Sequence, residues 1–183
     1  MGTHEVILGY KEMVADKGHS EILIPLIEKT LKESNTDVTQ IDGFLVCTGP
    51  GNYTSLRIAV STVRGLSLAR NKPAIGINLF ELLRKKETDC LVIVKGPLDK
   101  VYIQKFSSGA KITEPTLISL DELKRMVELD SFTIIGFKAK EVANSVGSIE
   151  SIEGTKISFE KFFVLGSSQL TLKNQRPVPM YIR

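Results

Sequence analysis

The stretch VCTGPGNYTSLR, residues 46–57, decides the class of fold. It joins a continuous apolar run, residues 43–48, to a helical pattern that extends over residues 54–70. A short apolar run of this kind is typical of a strand buried on both faces of a sheet. Glycine and proline then turn the chain, and hydroxyl side chains open the helix. A strand, a glycine turn and a helix in this order predict a parallel or mixed α/β sheet.

The segments on either side of this stretch continue the alternation of strands and helices. Apolar residues at helical spacing predict a helix over residues 20–33, with Ser20 as its N-cap. If this helix starts near Ile24, Pro25 falls in its first turn, where the missing N–H costs nothing. The remaining predicted elements are a short strand at 6–8, a strand at 73–77 and a helix at 79–86. The N-terminal half therefore reads βαβαβα.

The C-terminal half has a different order. Ser119 and Glu122 have the S-x-x-E form of a capping box and predict a helix from there to about Leu129. A turn at residues 107–109 separates two strands. The other predicted elements are strands at 90–94, 100–106, 112–118 and 132–137, a helix at 139–146, a strand at 157–165 and an extended tail with Pro177 and Pro179. This half reads βββαβα followed by a strand.

Alignment of the halves on the strands at 43–48 and 132–137 leaves the first half without two leading strands. Three strands followed by alternating helix and strand form a ribonuclease-H-like unit, and two such units form the actin-like ATPase architecture. We therefore predict two duplicated halves, residues 1–87 and residues 88–183, with the N-terminal hairpin of the first half missing. An upstream start of the reading frame would also explain the gap.

Composition excludes several classes of protein. The net charge is +3 and the pI about 8.8, which does not indicate a nucleic-acid footprint. Cys47 and Cys90 both lie in apolar runs and are interpreted as buried structural thiols, because a disulfide framework needs more cysteines. No stretch approaches the ~20 apolar residues of a membrane span, and we expect no signal peptide. A cytoplasmic location without membrane contact follows as the expectation.

Four motifs stand out along the chain: GHSE at 18–21, GPG at 49–51, PAIGIN at 73–78 and PMYIR at 179–183. In their order and spacing they resemble the TsaB (YeaZ) family, which acts in the threonylcarbamoyladenosine modification of tRNA and is a paralogue of TsaD. Tyr53, Thr54 and Arg57 follow the GPG motif in the family's order. The chain departs from the family at Asn52 and Ser55, and in lacking an initial strand with an Asp-Thr-Ser turn.

The resemblance implies that the helix after the glycine turn, together with the helix after the GHSE motif, packs against a partner. Ser61, Gly65 and Ala69 recur every four residues, and small side chains let another helix approach closely. We expect Leu56, Val60, Val63 and Leu66 to pack internally. The predicted interface consists of His19, Leu23, Ser55, Ala59, Thr62, Gly65 and Ala69. The implied partners are a TsaD-type subunit and a TsaE-type ATPase, with tRNA contacted only indirectly. An uncovered sheet edge at residues 6–8 also predicts a homodimer.

Two readings of the glycine turn stay open. A glycine turn before a helix can hold a phosphate, and Gly49, Gly51, Thr54 and Gly96 are the candidates for a nucleotide or anion. No lysine follows in the P-loop pattern. The alternative is structural, with glycines that reverse the chain and Thr54 or Ser55 as the helix cap. We therefore expect no cofactor, and nucleotide binding is the alternative.

The sequence also argues against catalysis. The resemblance implies a His-x-x-x-His metal motif in TsaD, and two histidines one turn apart can share a metal. The matching segment here is LFELL, residues 79–83, in which both ligand positions are leucine. We expect a structural or interface role for His19, and no catalytic or metal-binding residue. The alternatives are an actin-like ATPase or kinase and, less favoured, a glycoprotease-like M22 peptidase.

Overall fold

The computed structural model describes residues 6–13, 18–127, 132–146, 150–154, 157–170 and 176–182. The helices are α1 (His19–Glu33), α2 (Tyr53–Arg70), α3 (Leu79–Leu83), α4 (Leu120–Val127), α5 (Ala139–Val146) and α6 (Phe159–Ser167), with a 3-10 turn at Val38–Gln40. The strands are β1 (Phe44–Cys47), β2 (Ala74–Ile77), β3 (Cys90–Lys95), β4 (Lys100–Ser107), β5 (Ala110–Lys111), β6 (Thr116–Ser119), β7 (Thr133–Gly136) and β8 (Ser151–Glu153). Within the described residues, no helix is both long enough and apolar enough to cross a membrane.

The chain divides into two compact units. Unit 1 comprises Met1–Thr48, Asn52–Ile77 and Phe159–Pro179. Unit 2 comprises Gly49–Gly51, Asn78–Ser158 and Met180–Arg183. The division into residues 1–87 and 88–183 stays a prediction.

Unit 1 is built on a parallel pair of strands. β1 and β2 run in register from Phe44 opposite Ala74 to Cys47 opposite Ile77. α2 and α6 both pack on this pair, and α1 packs against α2. Gly166 of α6 lies so close to Leu45 that a Cβ at this position would be 2.4 Å from its Cδ1. Only a glycine lets α6 approach β1 at this distance.

Unit 2 contains a six-stranded mixed sheet. The strand order is β5-β4-β3-β7-β8, and β6 pairs with β4. β3 is antiparallel to β4 and parallel to β7, and β7 is parallel to β8. The predicted order of strands and helices in this half is confirmed as far as α5, except that the short strand β5 was not predicted.

Both faces of this sheet are covered by apolar side chains. Leu91 and Ile93 of β3 belong to a core cluster with α4 and α5. Cys90 and Val92, which alternate with them, belong to a second cluster that includes Phe80 of α3. A central strand that contributes to two cores has to be apolar at consecutive positions, as the sequence of β3 is.

Three local predictions are confirmed. Ser108 and Gly109 both have positive φ angles, 47° and 79°, and join β4 to β5 by a two-residue turn. In the capping box, the Glu122 amide donates to Ser119 Oγ at 3.2 Å and the Ser119 amide donates to Glu122 Oε2 at 2.8 Å. α2 starts and ends close to its predicted bounds. Leu129, the predicted end of α4, lies outside the described residues.

The prediction for the start of α1 is wrong. The helix begins at His19 after Gly18, which has a φ of 78° and provides no side-chain cap. Ser20 is therefore not the N-cap, and Pro25 lies inside the helix rather than in its first turn. Pro25 cannot donate a backbone bond.

The predicted strand at 157–165 is wrong, because α6 occupies Phe159–Ser167. A short apolar run fits a buried strand and a buried helix equally well, and its packing on β1 and β2 decides between them. The strand predicted at 112–118 is limited to β6, and β8 was not predicted. The helix predicted to Lys86 ends at Leu83, and within residues 6–8 only Ile7 forms a β-bridge. Cys90 is buried as expected, whereas Cys47 is half-buried.

Candidate functional site

α2 is a long helix with an outward face that the described part of unit 1 leaves open. Val60 is the one fully buried residue among its 18 described positions. Leu56, Val63 and Leu66, the positions expected to face inward with it, are half-buried. One side of the helix therefore packs on β1 and β2 and another part packs against α1, while the face that includes Ser61, Gly65 and Leu68 is exposed.

The asparagine before α2 caps it. Asn52 Oδ1 accepts hydrogen bonds from the Ser55 amide at 3.0 Å and from Ser55 Oγ at 3.2 Å. The prediction that Thr54 or Ser55 is the cap is therefore wrong. Asn52 directly precedes the first residue of α2, and its side-chain oxygen reaches the amide of the third residue of the helix, which is the geometry of an N-cap.

Gly65 lies in the middle of the open face. It is exposed, and a Cβ built on it would have no atom within 4 Å. Leu68, one turn further along, is 85% exposed. The exposed leucine lies beside a position that has no side chain. Another helix could therefore place a side chain over Gly65 and contact Leu68 at the same time.

The structure separates the predicted interface residues into two groups. Those that are exposed are His19, Gly65 and Ala69, and those that are half-buried are Leu23, Ser55, Ala59 and Thr62. All of them belong to α1 and α2, and these two helices pack against each other. Their role as an interface stays a prediction.

Sequence reasoning missed two apolar residues on these helices. Leu68 is 85% exposed and Ile24 of α1 is 42% exposed. Both belong to residue types that are assigned to the core by default. The helical spacing of Leu68 from Ser61 and Gly65 was the available signal, because residues three, four and seven positions apart share a face.

The glycine turn after β1 is tightly built. Gly49 has a φ of 101°, and the Gly49–Pro50 peptide is cis. The Gly49 carbonyl accepts a hydrogen bond from the Leu79 amide at 2.6 Å. Gly49 and Pro50 are buried, and Gly51 is exposed. The positive φ angle explains why position 49 is a glycine. An anion-binding role for Gly49, Gly51 and Thr54 stays a prediction.

Gly96 follows β3 and closes the turn to β4. Its amide donates to the Lys100 carbonyl at 3.1 Å. A Cβ at Gly96 would lie 2.8 Å from the same oxygen. This close backbone approach explains the glycine, and because the amide already has a partner, Gly96 does not present a free N–H to an anion.

A cleft of about 270 Å³ lies in unit 1 and is lined by Thr48, Gly76, Arg176, Pro177 and Val178. A Cβ on Gly76 would be 2.6 Å from Thr48 Cγ2 and 3.0 Å from Pro177 Cβ, so only glycine fits here. Arg176 and Thr48 are the lining residues with polar side chains, and both are residue types that bind small anions.

The segment 79–83, predicted to correspond to the metal motif of the relatives, places its leucines in an apolar cluster. Leu79 and Leu83 pack against the cluster that contains Phe80 and Cys90. Glu81 pairs with Arg84, and Lys111 also approaches it, with its Nζ 3.5 Å from Glu81 Oε1. Among the residues that the structure describes, no group of three or more histidines, cysteines or carboxylates could hold a metal ion.

Comparison with known proteins identifies related sequences. The family model described as "TsaD: tRNA N6-adenosine threonylcarbamoyltransferase" matches residues 5–175. A Clostridium botulinum protein of that name is 29% identical over 116 residues, which are 58% of this chain and 34% of the relative. The Bdellovibrio bacteriovorus protein of the same name is 35% identical over 78 residues, which are 43% of this chain and 23% of the relative. The chain thus spans about a third or less of these relatives.

Other similar proteins carry the names TsaB and YeaZ. The tRNA threonylcarbamoyladenosine biosynthesis protein TsaB of Buchnera aphidicola is 27% identical over 97 residues, 50% of this chain and 44% of that protein. YeaZ from Pseudomonas aeruginosa superposes with a TM-score of 0.69 at 18% identity, covering 90% of this chain and 85% of YeaZ. A second Pseudomonas aeruginosa structure, of a protein with similarity to YeaZ, gives 0.72 at 17% identity, covering 93% and 87%. These superpositions show that the chain has the actin-like, ribonuclease-H-like fold.

Proposed function

The chain belongs to the TsaD family, with similarities that are consistent with its TsaB (YeaZ) members, and on this premise we propose that it serves in tRNA threonylcarbamoyladenosine synthesis as a non-catalytic partner of a TsaD-type subunit. The chain holds that subunit through α1 and α2. A TsaE-type ATPase docks on the pair, and the chain contacts tRNA only indirectly.

The observation that carries this proposal is the open face of α2. Gly65 has no neighbouring atom that a Cβ would meet within 4 Å, and Leu68 is 85% exposed beside it. Exposed apolar side chains scattered singly are ordinary on protein surfaces. Leu68 is not such a scattered residue, because it lies beside a glycine that also has no neighbouring atoms. A helix from a partner would bury both residues.

Gly65→Leu tests the interface directly. The new side chain occupies the space that the partner would use over Gly65. Because overpacking destabilises a fitted interface, the complex with the cognate TsaD-type subunit should weaken by ~10-fold or more. Folding should be unaffected or slightly improved, because glycine is disfavoured in helices. Gel filtration with light scattering measures the complex, and thermal unfolding of the isolated chain measures stability.

A matched control is Asn144→Leu, which adds a large apolar side chain at an exposed position of α5 in unit 2. It should leave the complex intact. Equal losses of binding and stability in Gly65→Leu would assign Gly65 an internal role. Absence of a complex between the unmodified proteins at micromolar concentration would contradict the proposed function itself.

The non-catalytic part of the proposal is supported by α3. Leu79 and Leu83 pack against an apolar cluster, and neither can coordinate a cation. The purified chain should therefore bind no divalent cation in this segment and turn over no substrate alone. Calorimetry with ATP and magnesium tests the rival ATPase or kinase, and binding below 100 µM with turnover would favour that rival.

A further inference from the structure

We infer that the partner surface facing α2 carries carboxylate side chains, placed opposite Arg57 and Arg64; this inference rests on the proposed function. Arg57, Ser61, Arg64 and Leu68 follow one another at intervals of four, three and four residues and are all exposed. Such spacing places them along one side of a helix. We call these four residues the outward stripe of α2.

The charge of α2 is of one sign. Its 18 residues include Arg57, Arg64 and Arg70, and no aspartate or glutamate. Among the ion pairs of the described residues, none involves Arg57 or Arg64. Two positive charges two helical turns apart on an open face therefore form no ion pair within 4 Å in the described part of the chain.

Two contacts with Tyr53 orient the exposed guanidinium group of Arg57. Its Nη1 donates to the Tyr53 hydroxyl at 3.2 Å, and its guanidinium carbon lies 5.3 Å from the centre of the Tyr53 ring. A guanidinium that is fixed before binding loses less conformational freedom when it binds. Guanidinium groups bind carboxylates with two parallel hydrogen bonds, so a carboxylate is the group that suits a fixed arginine.

The apolar part of the stripe favours a protein over RNA. Leu68 continues the line of the arginines and is 85% exposed. Gly65 beside it leaves room for an incoming side chain. A phosphate backbone would satisfy the arginines but would leave Leu68 in water. A helix with acidic and apolar residues satisfies both.

Charge also argues against pairing of two outward stripes. Two facing outward stripes would bring four guanidinium groups together, and α2 itself supplies no carboxylate to offset them. Like charges brought together at an interface oppose binding. The heterologous partner therefore fits better than α2 of a second copy.

The test measures the Kd of the complex with the cognate TsaD-type subunit at 50 mM and 500 mM NaCl. Because charge pairs at an interface are screened by salt, Arg64→Glu should raise Kd by roughly 10-fold at the lower salt and by much less at the higher. Arg64→Gln should have a smaller effect. Lys140→Glu, the same charge change at an exposed position of α5 in unit 2, is the matched control and should leave Kd unchanged.

The outcomes separate this inference from the proposed function. Recovery of binding to Arg64→Glu by an acidic-to-arginine change on the partner would support the pairing. A complex that forms but shows no salt dependence and no effect of Arg64→Glu would overturn the inference and leave the proposed function standing. Loss of tRNA binding or of self-association in Arg64→Glu, with unchanged binding of the subunit, would also overturn it. Absence of any complex at either salt would remove the proposed function and the inference together.

Discussion

At the scale of single residues, two helical glycines have opposite surroundings. Gly65 of α2 has open space where a side chain would begin, whereas a Cβ at Gly166 of α6 would meet Leu45 Cδ1 at 2.4 Å. The same substitution should therefore have opposite effects at the two positions.

We predict that Gly65→Ala raises the free energy of unfolding by about 0.5–1 kcal/mol, the usual cost of glycine inside a helix. Gly166→Ala is the control and should lower it, by about 1–3 kcal/mol, because overpacking displaces α6 from β1. Urea unfolding followed by circular dichroism measures both. A loss of stability in Gly65→Ala would mean that this face of α2 is packed.

A second prediction at this scale concerns the cap of α2. Asn52 accepts the Ser55 amide hydrogen bond at 3.0 Å. Asn52→Ala should lower the free energy of unfolding by about 1 kcal/mol, the typical contribution of an N-cap side chain. Thr54→Ala should have little effect, and a larger loss in that variant than in Asn52→Ala would restore Thr54 as the cap. Chemical unfolding of the two variants decides between them.

At the scale of elements, the capping box of α4 predicts a pH dependence. The Ser119 backbone amide, and then its hydroxyl, donate hydrogen bonds to the Glu122 carboxylate and lower the pKa of Glu122 below its usual value of 4.5. Because the folded pKa lies below the unfolded one, this stabilisation is present above pH 4.5 and is lost as the pH falls through the folded pKa.

Titration by NMR should therefore give Glu122 a pKa below 4.5, and Ser119→Ala should move it back upward. The variant should also lose less stability than the unmodified chain when the pH falls through this range. If the pKa of Glu122 is unchanged in Ser119→Ala, the backbone amide of Ser119 alone lowers it, and the hydroxyl does not contribute.

At the scale of the whole molecule, burial is unevenly distributed among the elements. α1 has no buried residue and contains Pro25. β3 has five buried residues out of six and is bonded to strands on both sides. Local opening costs least where few apolar contacts are lost.

Hydrogen exchange should follow this distribution. Amides of α1 should exchange well before those of β3 and β7, and binding of a TsaD-type subunit should slow exchange in α1 and α2 specifically. Exchange followed by mass spectrometry, with and without the subunit, provides the measurement. Protection that increases only in unit 2 would place the interface elsewhere.

The sequence by itself determined the features that depend on neighbouring residues. The turn at Ser108 and Gly109 and the capping box of Ser119 and Glu122 follow from local backbone and hydrogen-bonding preferences, which act within a few residues. The apolar run at 90–94 predicted β3, which is buried at five of its six positions. The run at 43–48, interpreted as a strand buried on both faces, forms β1, in which only Val46 is fully buried, so that part of the interpretation is wrong. The order of elements from β3 to α5, apart from the short strand β5, followed from these signals.

The tertiary structure alone decided the features that depend on residues distant in sequence. The segment predicted as a strand at 157–165 forms α6, which packs on β1 and β2 with Gly166 against Leu45. Leu68 and Ile24 turned out to be exposed because the surface that would cover them is not formed by the described part of the chain. Hydrophobic periodicity shows which side of a helix is apolar, but only the packed structure shows how much of that side its own sheet covers.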